Sequence, residues 1–158
     1  MDAVHAGATA IADAAAAIAG GDAGRQREAL RTLEGLQRSS AAWPSAVVVL
    51  RASAPPDAAL FFAAQTLKQR AVCDATLLPK ADALAELWGL LFSGRSWPPS
   101  VSRQLSLAFG ALAAQTEDTL ASEILSKLVA FAAESRKNTT LACSALDALA
   151  CTAETLSN

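Results

Sequence analysis

The stretch FFAAQTLKQR, Phe61 to Arg70, opens with two aromatic rings, closes with positive charges and contains no run of β-branched residues. Apolar residues recur at a helical period through it and beside it, at Leu60, Phe61, Ala64, Leu67 and Ala71. This pattern predicts a helix that Asp57 caps and that buries Phe61 and Leu67 in a core. Such spacing is typical of packing, whereas a catalytic motif places a nucleophile, a base or a ligand at the separation its chemistry needs.

The composition indicates a folded chain with a substantial core. Of the 158 residues 53% are apolar and 18% are charged, which fits one compact domain or a segment of a longer protein. Lys and Arg number 13 against 15 Asp and Glu, the net charge is −2, and the basic residues form no run. We therefore expect no direct nucleic-acid binding.

The alanine-rich start, residues 1–20, predicts a helix of a soluble protein. Its charged residues are Asp2 and Asp13, so it lacks the positive start of a secretory signal. Alanine is weakly apolar and Asp13 is costly in lipid, so we expect no membrane span. Gly20 and Gly21 would end this helix.

Capping and breaking residues mark further helices along the chain. Asp22 can begin a second helix with inward positions at Ala29, Leu30, Leu33 and Leu36. A short helix with Trp43 and Pro44 at its start would follow and end before Pro55. Its segment VVVL, residues 47–50, could form a buried strand, yet no partner strand has the matching alternation.

Four more helices are predicted after the helix that contains the opening stretch. Pro79 precedes a helix that faces inward with Leu84, Leu87, Trp88 and Leu91 and that Gly94 ends. The next helix begins at Pro98 to Ser100 and turns inward with Val101, Leu105, Ala108, Phe109 and Leu112. The last two are predicted over residues 118–133 and 139–156.

The helices repeat in pairs with a period of about 40 residues, which is the period of HEAT or armadillo repeats. The predicted fold class is all-α, an α-solenoid of about four HEAT-type antiparallel helix pairs over a single segment, residues 1–158. One pair cannot bury its own apolar face, but stacked pairs form a continuous core. Trp43 and Leu105 are expected in that core.

No arrangement of residues in the sequence predicts an enzyme. His5 is the single histidine, the three cysteines form no CxxC motif, and no glycine-rich phosphate loop is present. We therefore expect no metal site and no cofactor. Cys143 and Cys151 are interpreted as small buried apolar residues of one helix.

Binding, rather than catalysis, is the activity that such a helical stack favours, since solenoids usually bind partners on one face. The polar side of the helix that contains FFAAQTLKQR would carry Gln65, Lys68, Gln69 and Arg70. The helix from Ser100 would add Arg103 and Gln104. An ordinary solvated helix face remains the alternative interpretation of these residues.

Three stretches resemble the amino-terminal region of the β-karyopherins, the importin-β superfamily. They are LQRSSAAW (36–43), FFAAQTLKQRAVCDATLLP (61–79) and VSRQLSLAFGALAAQ (101–115), and they occur in the family's order with similar spacing. They are most similar to the transportin-3 and importin-13 branch. The first helix and the tail from Leu141 match only loosely.

The resemblance implies a nuclear transport receptor whose first HEAT repeats hold the small GTPase Ran in its GTP form. Gln65, Lys68, Gln69, Arg103 and Gln104 are then the candidate Ran-binding residues. Cargo proteins and nucleoporins are expected to bind through further repeats, and the protein is expected to shuttle between cytoplasm and nucleus. The alternative is a HEAT scaffold of another class, such as a vesicle coat, a phosphatase or an assembly platform, which would not bind Ran.

Overall fold

The computed structural model describes residues 2–73, 79–116, 118–134 and 139–156. Within these ranges the chain forms eight α-helices and no strand, and the prediction of an all-α fold is confirmed. Their bounds are α1 Asp2–Ala19, α2 Ala23–Gln37, α3 Ala42–Arg51, α4 Asp57–Cys73, α5 Lys80–Leu91, α6 Pro99–Ala113, α7 Asp118–Glu134 and α8 Thr139–Leu156. None of the described helices is both long and apolar enough to span a bilayer.

Glycine and aspartate set the boundary between α1 and α2. Gly21 has a φ of 76°, a left-handed conformation that side chains with a Cβ rarely adopt. The Oδ1 atom of Asp22 then accepts hydrogen bonds from the backbone N–H groups of Gly24 at 2.8 Å and Arg25 at 3.0 Å. The predicted cap at Asp22 is confirmed, because its carboxylate satisfies donors that have no partner within the helix.

The segment VVVL is helical, within α3. Val47, Val49 and Leu50 are buried while Val48 is 40% exposed. The hydrophobic burial of this helix outweighs the modest preference of valine for strands.

Two of the predicted helix details are wrong by small amounts. Asp57 is the first residue inside α4 rather than the residue before it, a shift within the usual uncertainty of helix ends. Leu30 is 47% exposed, because α2 buries a narrow stripe that runs through Ala29 and Leu33 and leaves Leu30 beside it. Asn138, the residue before the last predicted helix, lies outside the described residues.

Contacts along the backbone divide the chain into two compact units, Met1–Arg70 and Ala71–Asn158, with the boundary in the last turn of α4. In the first unit α1 packs against α2 and against α3. In the second unit α5 packs against α6, α7 against α8, and α6 against α8. Packing between sequence neighbours and between alternate helices is compatible with helix-pair repeats.

The core of the first unit combines a few large side chains with many small ones. Ile11 of α1, Leu50 of α3 and Leu67 of α4 are fully buried, and Trp43 of α3 is also buried. Gly7 of α1 lies so close to Ser45 of α3 that a Cβ at position 7 would overlap the Ser45 hydroxyl. That hydroxyl donates a hydrogen bond of 3.0 Å to the carbonyl oxygen of Val4, so α1 and α3 are joined by a polar contact as well as by close packing.

The core of the second unit is built mainly on α6. Val101, Leu105, Ala108, Phe109 and Leu112 are all buried, as the helical period predicts. Leu84, Leu87 and Leu91 are buried on α5, whereas Trp88 is half-buried. After α5, Gly94 takes a φ of 78° and the indole Nε1 of Trp97 donates a hydrogen bond of 2.9 Å to the carbonyl of Leu90.

Two expectations about burial need correction. Cys143 is exposed, although Cys151 is buried. The two residues are eight apart, and at 100° per residue this separation rotates them by about 80°, enough to turn Cys143 out of the buried stripe. Phe61 is half-buried rather than in the core, because the buried stripe of α4 runs through Leu60, Ala64 and Leu67, to one side of it.

Candidate functional site

Three polar residues lie on one side of α4, as the sequence predicts. Gln65 and Gln69 are exposed and Lys68 is half-buried. Residues three and four apart in a helix are neighbours on its surface, so Gln65, Lys68 and Gln69 form one polar patch. We call these three residues the α4 patch; it offers amide groups and one ammonium group to a partner.

Arg70 does not belong to this patch, contrary to the sequence prediction. Its exposed fraction is 7%, and it continues the buried stripe of Ala63 and Leu67 along α4. Leu67 is four residues after Ala63 and Arg70 is three residues after Leu67, so Arg70 lies next to Leu67 on the same side of the helix. Its long alkyl stem can pack among the apolar side chains of this stripe.

Partly buried hydrogen bonds next to the patch anchor α4 within the first unit. Thr66 is fully buried, and its hydroxyl donates to the carbonyl of Phe62 at 2.8 Å. The side-chain amide of Gln37, at the end of α2, donates to the Thr66 hydroxyl oxygen at 3.3 Å. Because Thr66 follows Gln65 directly, these contacts hold the backbone that presents the patch.

The candidate residues of α6 belong to the second compact unit. Arg103 is exposed, and its charge is near enough to Cys151 to act on the pKa of that thiol. Gln104 is half-buried, and its side-chain oxygen is buried without a hydrogen-bond partner among the described residues. A buried acceptor without a partner is energetically costly, which distinguishes Gln104 from an ordinary solvated glutamine.

His5 and the other possible metal ligands of the described residues do not form a cluster. His5 is exposed on α1. Within the described ranges no three residues among His, Cys, Asp and Glu are grouped closely enough to hold a metal ion.

The second unit contains an aromatic cluster that was not predicted from the sequence. The ring of Trp88 lies 4.5 Å from that of Phe92, 5.8 Å from that of Phe131 and 6.2 Å from that of Phe109. Phe92 and Phe131 are themselves 4.7 Å apart, centroid to centroid. These distances are those of favourable aromatic pairs. The sequence spacing of four between Trp88 and Phe92 indicates one of these contacts, but the contacts with α6 and α7 depend on how the helices pack.

Comparison with known proteins adds no relative: no protein-family model, curated protein or solved structure matches this chain.

Proposed function

We propose that this chain is the Ran-binding part of a nuclear transport receptor of the β-karyopherin family. The observation that carries the proposal is the resemblance of three stretches, 36–43, 61–79 and 101–115, in the family's order and spacing. The all-α architecture supports it, because the family's receptors are HEAT superhelices. In this proposal the chain binds Ran in its GTP form, and that binding controls the loading and release of cargo.

The α4 patch is the proposed contact with Ran. Lys68 is its one cationic residue, and its half-buried stem allows the ammonium to be held in a defined position. Gln65 and Gln69 beside it can both donate and accept hydrogen bonds. Arg103 and Gln104 are proposed as a second contact, in which the exposed Arg103 offers a second cation.

The proposal is tested by titrating the chain with Ran loaded with a non-hydrolysable GTP analogue and, separately, with GDP. We expect selective binding to the GTP form, because only a differential affinity lets the nucleotide state act as a switch. Lys68→Glu should weaken binding about tenfold or more, since it replaces a favourable charge at the contact with a repulsive one.

Arg31→Glu is the matched control. Arg31 is an exposed cation on α2 of the same compact unit, so its reversal changes the net charge equally but leaves the α4 patch intact. Equal affinity for both nucleotide forms, equal effects of the two reversals, or no binding by a chain with a helical circular-dichroism spectrum would each contradict the proposal. The last result would favour a HEAT scaffold of another class.

A further inference from the structure

The second unit contains a cavity of about 400 Å³ between α5, α6 and α7. Six of its lining residues are apolar: Ala81, Leu84, Ala85, Trp88, Phe109 and Ile124. The seventh is Lys127. We call this space the α5–α7 cavity. Its size and its apolar, partly aromatic lining are those of small-molecule sites, which measure roughly 300 to 1,000 Å³.

One wall of the cavity is held firmly and the other is open. Trp88 and Phe109 belong to the aromatic cluster, which restrains both rings. Ala81 and Ala85 are exposed residues one turn apart on α5, so the cavity reaches the surface beside them. Alanine leaves this entrance wide because its side chain is a single methyl group.

Lys127 is the one charged group among the described residues that line the cavity. Its Nζ atom lies 2.6 Å from Oε1 of Glu123, one turn earlier on α7, and the side chains are 63% and 57% exposed. The hydrogen bond from Lys127 and, second, the positive charge of Lys127 lower the pKa of Glu123. An ion pair this exposed contributes little to stability. The ammonium also carries three N–H donors, so it can bind a second anion without leaving Glu123.

We propose that the α5–α7 cavity binds a small amphipathic carboxylate, with its alkyl chain among the apolar side chains and its carboxylate on the ammonium of Lys127. A volume of about 400 Å³ lies in the range of sites that bind small molecules, and decanoate is a small ligand of this class. The lining supplies apolar surface for the chain and one cation for the head group. This inference concerns α5, α6 and α7 and does not depend on Ran binding.

Glu123 and Lys127 provide a test, because substitutions at these two exposed residues should change the affinity for decanoate in opposite directions. Lys127→Gln removes the cation, so decanoate should bind about tenfold more weakly. Glu123→Gln removes a negative charge beside the bound carboxylate, so decanoate should bind severalfold more tightly. A role of these residues in folding alone would not change ligand affinity in opposite senses.

The measurement is isothermal titration calorimetry of the full chain with decanoate below its micelle concentration. Arg31→Gln is the matched control, because it removes an exposed cation on α2 that does not line the cavity, and it should leave the affinity unchanged. Octanoate should bind more weakly than decanoate, by roughly fourfold for each methylene that is lost. Octan-1-ol, which lacks the carboxylate, should bind more weakly than octanoate.

Ala85→Phe tests the place of binding. The new ring would occupy the entrance at an exposed position, so it should reduce the affinity for decanoate at least tenfold while the helical spectrum stays unchanged. The proposal is overturned if decanoate gives no binding heat with the folded wild-type chain. It is also overturned if Ala85→Phe has no effect, or if Lys127→Gln and Glu123→Gln change the affinity in the same direction.

Discussion

Gly110 of α6 lies directly against the backbone of Cys151 of α8. A Cβ at Gly110 would stand 2.9 Å from the carbonyl carbon of Cys151 and 2.9 Å from the amide nitrogen of Thr152. A flexible side chain could turn away from such a contact, but a helix backbone cannot. This crossing therefore requires glycine, even though glycine costs a helix about 1 kcal/mol relative to alanine.

Gly110→Ala is expected to destabilise the chain by about 1–3 kcal/mol, because the added methyl group would force α6 and α8 apart. The control is Gly89→Ala on α5, where a Cβ would meet nothing within 4 Å. That substitution should stabilise the chain by about 0.5–1 kcal/mol. Urea unfolding followed by circular dichroism measures both, and a shift of the same sign would contradict the crossing described.

Gly7→Ala should destabilise the first unit through its contact with α3. The new methyl group would overlap the hydroxyl of Ser45 and break the hydrogen bond of that hydroxyl to Val4. The combined loss of packing and of a partly buried hydrogen bond is expected to cost about 2–3 kcal/mol. Gly35→Ala on α2, where the added Cβ has open space, should instead stabilise the chain slightly. A thermal melt of each variant distinguishes the two results.

Asp22→Ala should cost about 0.5–2 kcal/mol, because it leaves the N–H groups of Gly24 and Arg25 without their acceptor at the start of α2. Asp22→Asn keeps a side-chain oxygen in place and should recover most of this loss. Hydrogen exchange at the first turn of α2 gives the local readout. Equally fast exchange in both variants would mean that a side-chain oxygen at position 22 is not what protects these amides.

The cysteines should differ in their reaction with thiol reagents. Burial, aided by the charge of Glu154, raises the pKa of Cys151 despite the opposing charge of Arg103. The thiolate is the reactive form, so near pH 8 Cys151 should react far more slowly with iodoacetamide than the exposed Cys73 and Cys143. Mass spectrometry of the alkylated chain measures each site, and full labelling of Cys151 in the folded protein would contradict its burial.

The helices could be predicted from the sequence because their ends are written in short local signals. Gly21, Asp22, Pro79 and Gly94 each act within a turn of their own position, so neighbouring residues suffice to place the boundaries. Burial is harder to predict, because a helical period gives a face but not its width. Leu30 and Cys143 lie at the edges of such faces, and the packing partner decides their exposure.

The two candidate sites also differ in whether local sequence signals or packing between helices determines them. The α4 patch follows from spacing on one helix, so the sequence predicts its shared surface, although Arg70 turns inward. The α5–α7 cavity depends on side chains from three helices, with Trp88, Phe109 and Lys127 far apart in sequence. A cavity that forms only when separate helices pack together has no local signal in the sequence of any one helix.

The small side chains on the buried face of α1 have a thermal consequence. Apart from Ile11, the residues buried there are Gly7, Ala14 and Ala15, which remove little apolar surface from water. The heat-capacity change of unfolding rises with the apolar surface exposed, at about 0.45 cal/mol/K for each Å². Scanning calorimetry should therefore find a heat-capacity increment per residue below the usual ~12–15 cal/mol/K. A smaller increment gives a flatter stability curve, so cooling and moderate warming should change the protein's stability less than they change that of a leucine-rich helical protein of equal length.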